Sequence, residues 1–517
     1  MFRVFLNKWV LIIISALAFS FSFPPVEIPY LSLIALTPLF FWIAGEEKFW
    51  RLIGGFVLFW LIFAGIVLSF VFEPFLFGAN LFILLGAPVC LFVLRRVLQA
   101  KHGVKNISCF IFLALPFVWT IFEYLQAVYA PIPSHIIASG NTLAETFFFP
   151  LASLGGLYGL SFVVAVINSI LAAVLFYRTN KHFLFFIKIA LFVIMTIVVA
   201  AHITNYFDTL CKNNDCIKEA QNHIRIATFS VNRTFLNKVS FYEKEFLKKG
   251  DVALLLFENY LDERFSELTE ELYGKELDLI VLPEWLTEYS LFENDTDTEA
   301  KEIFGITNNG TLIRAYSRLA RELGVSVLAS ANTIDINGEL FNSEILFDKE
   351  GRIIGKYDKT QLVLASEYWP FGDWVPPHWK TTLKYAPNPS FIGLYERQFN
   401  SNKTPFSTLK LSDDAVFGAP ICLEGQIGAS ISAFIKNGAK FLINDSSQVW
   451  IQFNAKGYRK MTLNTSRILA RQYGIAIILG GRESYAGMID SLGNTNIIFH
   501  NQYPHKSFVS ELYNDMI

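Results

Sequence analysis

Three side chains in the second half of this chain have the types needed for covalent catalysis: Glu284, Lys359 and Cys422. Cys422 stands in Gly-Ala-Pro-Ile-Cys-Leu-Glu (418–424), at the end of an apolar run, where a strand would lift a thiol to its exposed tip. A thiolate is a strong nucleophile, and a nearby carboxylate can accept the thiol proton. A fixed ammonium can help hold the thiolate and stabilise the oxyanion of a tetrahedral intermediate. Glu284 follows Leu-Ile-Val-Leu-Pro, so its carboxylate emerges just past a buried strand, where burial raises a carboxyl pKa. Lys359 follows the hairpin-like turn Asp348-Lys349-Glu350-Gly351 and the run 353–357. The backbone N–H of Leu423 is a natural second oxyanion donor. This is a set for acyl transfer through a thioester, and it calls for no metal and no cofactor. Singly, each residue has an ordinary reading: a packed cysteine, a turn glutamate, a solvated lysine. Their joint order and context change the odds.

The elements that must position them are legible from Arg225 onward. Strands are expected at 226–231, 277–282, 325–331, 343–347, 415–421, 441–444 and 475–479, and helices at 239–249, 262–275, 311–323, 426–437 and 456–473. Gly324, Gly438 and Gly474 each sit where a helix should stop before the next strand. Such alternation implies sheets covered by helices, an α/β domain.

The first part of the chain is of another kind. Charged residues make up only 17% of the 517 residues and mean hydropathy is +0.39, too apolar for a soluble protein of this length. The imbalance is confined to the stretch before about residue 204. Seven runs there suit a bilayer core, near 9–24, 28–45, 52–72, 75–94, 107–127, 148–177 and 183–203. Arg3 and Lys8 precede the first run, but Phe23-Pro24-Pro25 is no small-residue cleavage site, so it reads as a retained helix. Lys and Arg fall in alternate connections: Arg3 and Lys8, Lys48 and Arg51, Arg95 to Lys105, Arg178 and Lys181. The connections 25–27, 73–74 and 128–147 hold none. Basic loops stay cytoplasmic, which puts the N-terminus inside and the α/β half on the periplasmic face. The net charge of −2 gives no reason to expect nucleic acid as a partner. Cys90 and Cys109 read as packing residues, Cys211 and Cys216 as a possible periplasmic disulfide or two free thiols, and Cys422 as the odd thiol.

The motifs Asp278-Leu-Ile-Val-Leu-Pro-Glu284, Tyr357-Asp-Lys-Thr-Gln-Leu-Val363, Ser366-Glu-Tyr-Trp-Pro370, Ile421-Cys-Leu-Glu424 and Asn444-Asp445 resemble the nitrilase superfamily. With the apolar half and Gly156-Leu-Tyr-Gly-Leu-Ser161, the layout is similar to its membrane-bound branch, the apolipoprotein N-acyltransferases, over roughly residues 5–495. The resemblance implies a multi-span α-helical membrane bundle followed by an αββα sandwich. Its expected divisions are a transmembrane domain over 1–204, a periplasmic tether over 205–223, a catalytic domain over 224–500 and a polar tail over 501–517. It makes Glu284 the general base, Lys359 the oxyanion stabiliser and Cys422 the nucleophile, with Glu367 the auxiliary carboxylate, Asp373 its rival, and Glu424 the acid two places after the nucleophile. Leu423 stands where the family usually has Tyr, Trp450 is the obvious candidate for a displaced aromatic segment, and the family's last transmembrane helix has no match before Ile517.

The implied activity is transfer of an acyl chain from a phospholipid donor through Cys422 to the N-terminal amine of a diacylglyceryl-cysteine apolipoprotein, at the bacterial inner membrane. The rivals are a membrane-bound thiol hydrolase or amidase, an N-acyltransferase for another amine, and a non-catalytic lipid-binding relative. Trp369, Trp374 and Trp379 share one loop with Phe371. They read either as a buried aromatic cluster or as an arm reaching the headgroup layer, where Trp is favoured.

Overall fold

The computed structural model describes residues 8–68, 83–102, 107–129, 135–178, 183–213, 223–232, 251–284, 297–308, 310–363, 367–368, 399–449, 451, 455–499 and 505–513. The chain divides into two compact units: Met1–Asp215 with Ile451–Gly474, and Cys216–Trp450 with Ile475–Ile517.

The first unit contains α1 (Lys8–Phe21), α2 (Ser32–Ala35), α3 (Thr37–Gly45), α4 (Phe49–Val67), α5 (Gly86–His102), α6 (Ile107–Tyr129), α7 (Ala152–Phe176) and α8 (Phe183–Asn213). Among the described residues, four stretches are long and apolar enough to cross a bilayer: Phe49–Val67, Ser108–Tyr129, Phe149–Phe176 and Ile187–Phe207. Of the other three expected spans, two are the shorter apolar helical stretches Trp9–Phe21 and Pro29–Gly45. The second of these is broken at Leu36, because Pro38 in the first turn of α3 has no N–H to continue α2. Of the run 75–94, residues 75–82 lie outside the described residues, and the rest leads into α5, which starts at Gly86. Along α6 the side chains Leu113, Phe117, Ile121, Tyr124 and Val128 are all exposed at three- and four-residue spacing, an apolar stripe suited to lipid. The opposite side packs rings, with Trp119 edge-on to Phe19, Phe40 and Phe59.

Several buried polar groups in this unit are held by named partners. Glu123 accepts from Trp119 Nε1 at 2.7 Å and from Ser139 N and Oγ at 3.0 and 3.1 Å. Arg95 donates to the carbonyls of Ile43 and Ala44, and Asn168 to those of Ser32 and Val164. Residues 135–151, which take in most of the expected connection 128–147 and the start of the expected span 148–177, form short 3-10 turns whose residues are mostly buried. A late helix, Ala455–Tyr473, belongs to the same unit: Thr465 Oγ1 donates to Asn141 at 3.0 Å and Arg471 Nε to the Pro150 carbonyl at 3.1 Å.

The second unit is built on one twelve-stranded sheet: β1 (His223–Val231), β2 (Leu279–Val281), β3 (Ser326–Ile334), β4 (Leu340–Phe347), β5 (Ile353–Asp358), β6 (Leu409–Lys410), β7 (Val416–Gly418), β8 (Phe441–Ser447), β9 (Ile477–Arg482), β10 (Ala486–Ile489), β11 (Thr495–Ile498) and β12 (His505–Tyr513). The main path runs β5-β4-β3-β2-β1-β9-β8-β7-β6, and β1 also pairs with β12. Parallel pairs β1–β2, β2–β3, β7–β8 and β8–β9 are those expected of strand–helix alternation. The helices Asp251–Thr269 and Gly310–Leu323 bury Phe265, Leu268, Leu312 and Tyr316 against β1–β4. This is the sandwich with helical covers that the sequence implied. Gly324, Gly438 and Gly474 all take positive φ, 63°, 95° and 63°, and end their helices.

Two expectations need correcting. The helix expected at 262–275 begins at Asp251 and ends near Thr269, since Gly274 turns the chain at φ 77°. Part of the expected polar tail is strand β12, paired antiparallel with β1 along its length, where Ser510 and Leu512 point inward at alternate positions.

Gly481 in β9 has φ 134°, and a Cβ there would lie 1.9 Å from the Ser446 carbonyl oxygen. Gly481→Ala should therefore cost about 2–4 kcal/mol, read as a lower thermal midpoint of the full chain in detergent. Wild-type stability would contradict the β8–β9 approach.

Candidate active site

Glu284 stands three residues past β2, Lys359 directly follows β5, and Cys422 opens the 3-10 turn Cys422–Gln426 after β7. Parallel strands deliver their carboxyl ends to one edge of the sheet, so residues distant in sequence meet there. Glu284, Lys359 and Glu367 are buried, while Cys422 keeps some exposure. Lys359 Nζ donates to Glu367 Oε1 at 2.8 Å. The amide Nδ2 of Asn342 donates to Glu284 Oε1 at 3.3 Å and to Glu367 Oε1 at 3.1 Å, so one side chain spaces the two carboxylates. The backbone N–H of Ser447 bonds Glu284 Oε2 at 2.6 Å, and Val363 N–H bonds Glu367 Oε2 at 2.8 Å. The pairing assigns Glu367 to the lysine; Asp373, its rival, lies outside the described residues, as do Trp369, Trp374, Trp379, Trp450 and Cys216.

Cys422 adopts φ 54°, the left-handed region that non-glycine residues rarely enter. Such strain persists only where surroundings hold it, and it concentrates at functional sites. Asn444 Nδ2 supplies part of the hold, donating to the Pro420 and Cys422 carbonyls at 2.8 and 3.1 Å. Ser446 Oγ lies 3.6 Å from the Cys422 sulfur as a donor. Leu423 follows in the first turn of the 3-10 segment.

Glu424 does not face the thiol. Its carboxylate receives Tyr357 OH at 3.0 Å, the N–H groups of Thr360 and Gln361 at 2.8 Å, and Ile421 N–H at 2.9 Å. It therefore ties the residues after Lys359 to the residue before Cys422. Sequence reading passed over Asn342, Ser446 and Ser447, and gave Tyr357 a place in a motif but no role; Asn342 in fact lies within β4.

The electrostatics follow from burial. Burial raises Glu284 above the ordinary carboxylate range, with Glu367 adding to the effect and Lys359 opposing it. Burial and the Glu284 charge push the Cys422 thiol up to about 12, against the pull of Lys359. Burial alone would lower Lys359, but Glu367, Cys422 and Glu284 outweigh it and keep the ammonium charged. The resting site is thus a neutral thiol beside a raised carboxylate and a fixed cation. Such a thiol needs a base when it attacks.

Glu424→Ala removes one carboxylate and strands four donors, so a loss of about 3 kcal/mol or more is expected. Thermal unfolding in detergent checks this, together with the reactivity of Cys422 towards an activated ester, which should fall. Unchanged reactivity would contradict the bracing role.

Two family models match the chain: the apolipoprotein N-acyltransferase N-terminal domain over residues 15–170, and carbon–nitrogen hydrolase over residues 260–468. An apolipoprotein N-acyltransferase of Aquifex aeolicus is 25% identical over 40% of this chain, a stretch that spans 39% of the relative's length. Apolipoprotein N-acyltransferase 1 of Treponema denticola is 21% identical over 95% of this chain and 88% of its own. The crystal structure of a carbon–nitrogen hydrolase from Helicobacter pylori matches with TM-score 0.38 at 15% identity, covering 57% of this chain and 90% of that one. The two domain matches lie in the order of the two units and together take in most of the sequence. The chain is thus similar to the apolipoprotein N-acyltransferases in its first unit and to carbon–nitrogen hydrolases over residues 260–468, and the stretches matched in the first relatives span well under half of their length.

Proposed function

We propose that this chain is a phospholipid-dependent N-acyltransferase that acylates the N-terminal amine of a diacylglyceryl-cysteine apolipoprotein. The carrying observation is the strained Cys422 turn beside buried Glu284 and the Lys359–Glu367 pair, in a chain whose other unit is made of apolar helices. In the first half-reaction Glu284 takes the thiol proton as the sulfur attacks the ester carbonyl carbon of the phospholipid. Lys359 and the Leu423 backbone N–H stabilise the oxyanion. Collapse of that intermediate breaks the ester C–O bond, and Glu284 returns the proton to the departing lysophospholipid oxygen. In the second half, the amine attacks the thioester carbonyl, Glu284 accepts an amine proton and passes it to the leaving thiolate. The products are an amide and free Cys422.

The same reading places the unit with the site on the periplasmic face of the inner membrane, following the alternation of basic loops, with residues 1–204 as the transmembrane domain, 205–223 as a tether and 224–500 as the catalytic domain. The alternative outcome is hydrolysis, in which water rather than an amine resolves the thioester.

The test uses purified full chain with acyl-labelled phospholipid and a diacylglyceryl-cysteine peptide. Label should appear first on Cys422 and then on the peptide amine, and Cys422→Ala should abolish both. Cys422→Ser should be nearly as damaging, since a hydroxyl is far harder to deprotonate. Release of labelled fatty acid with the amine left bare would replace the transferase reading by the hydrolase one.

A further inference from the structure

Two carboxyl groups near Glu284 have no part in these steps. Glu344 lies in β4 two residues after Asn342, so its side chain leaves the strand on the face from which the Asn342 amide reaches Glu284 and Glu367. Asp445 lies in β8 between Asn444 and Ser446, whose side chains both turn to the Cys422 segment, so Asp445 points to the other face. Both are buried, 1% and 2% exposed. The two acids repel each other, and Glu284 repels both.

Their surroundings differ. Asp445 Oδ1 accepts the Ser446 N–H at 3.1 Å, the backbone N–H of Glu284 also bonds its carboxyl, and Arg482 on β9 favours a charge there. Glu344 has no such help: neither of its oxygens has a hydrogen-bond partner among the described residues. The charged groups acting on the pair are Glu284 and Arg482, with Lys359 beyond them already tied to Glu367. A bare carboxylate in such a place costs far more than a neutral acid. Burial and like charge accordingly hold both groups well above their ordinary values.

We propose that Glu344 is a positioning residue that stays protonated while Glu284 is ionised, sparing Glu284 a second uncompensated charge, and that ionisation of Glu344 sets the alkaline limit of Cys422 acylation. This rests on Glu284 as base and Cys422 as nucleophile. The consequence has a definite sign. When Glu344 loses its proton, the new charge favours protonated Glu284 and neutral thiol, so acylation falls.

The full chain in detergent is acylated with p-nitrophenyl butyrate, and the initial rate of Cys422 modification is followed by intact mass from acid to alkaline pH. Wild type should show an acid limb from Glu284 and an alkaline limb. Glu344→Gln should leave the acid midpoint in place and either abolish the alkaline limb or move it up to the next group that titrates. Infrared spectra at neutral pH should show a protonated-carboxyl carbonyl band that this variant loses. Glu344→Thr, smaller and also neutral, gives the same readouts should the Gln side chain not be accommodated. A downward shift of the acid midpoint would mean that Glu344 is ionised in the wild type and overturn the proposal; so would an unmoved alkaline limb, or no lost band. Acylation that survives Cys422→Ala or Glu284→Gln would instead sink the catalytic reading, and the infrared band would still decide whether Glu344 carries a proton.

Discussion

The Glu424 carboxylate joins the segment that carries Lys359 to the turn that carries Cys422, and the other distances at the site depend on that join. It receives Tyr357 OH and three backbone N–H groups, two just after Lys359 and one just before Cys422. A buried acid is costly unless its acceptor sites are filled, and these are filled by donors from both segments. With the two segments fixed, the ammonium of Lys359 can be buried because Glu367 stands 2.8 Å away. Asn342 then spaces Glu367 from Glu284, and Ser447 N–H fixes the second oxygen of Glu284. The strain at Cys422 is sustained by the same frame.

The helical unit answers a different solvent. Its outward stripe on α6 is apolar, while inward polar groups such as Glu123, Asn168 and Arg95 spend their hydrogen-bonding capacity on neighbouring backbone and side chains. That division is what a bilayer requires, since lipid offers a polar group no partner. Glu123 also holds the Ser139 backbone, so a carboxylate within an apolar helix fixes the course of the buried 135–151 segment.

Much of this was legible in the sequence because it depends on local chemistry. The strand runs ending near Val231 and Phe347 and the helices over 311–323 and 456–473 carry their own periodicity and glycine stops, and the structure has them within a few residues. The order of Glu284, Lys359 and Cys422 at strand ends was readable for the same reason. What escaped was non-local. Nothing near Glu424 signals that its partners are Tyr357, Thr360 and Gln361, some sixty residues earlier. Strand β12 looked like a polar tail because His505, Lys506 and Glu511 mask its alternation, and only pairing with β1 reveals it. Asn342 lay outside the strand expected at 343–347, and nothing local to it or to Glu344 signals which groups they face.

The central claim is that Cys422 rests as a neutral thiol, raised by burial and the nearby Glu284 charge, and gives up its proton only as it attacks. Thiolate absorbance of the wild type minus that of Cys422→Ala, followed against pH in the intact protein, tests it most directly. The account predicts no Cys422 thiolate at neutral pH and a titration far above that of an ordinary cysteine, towards about 12. A Cys422 thiolate already present at neutral pH would contradict it and make the site a preformed thiolate–ammonium pair.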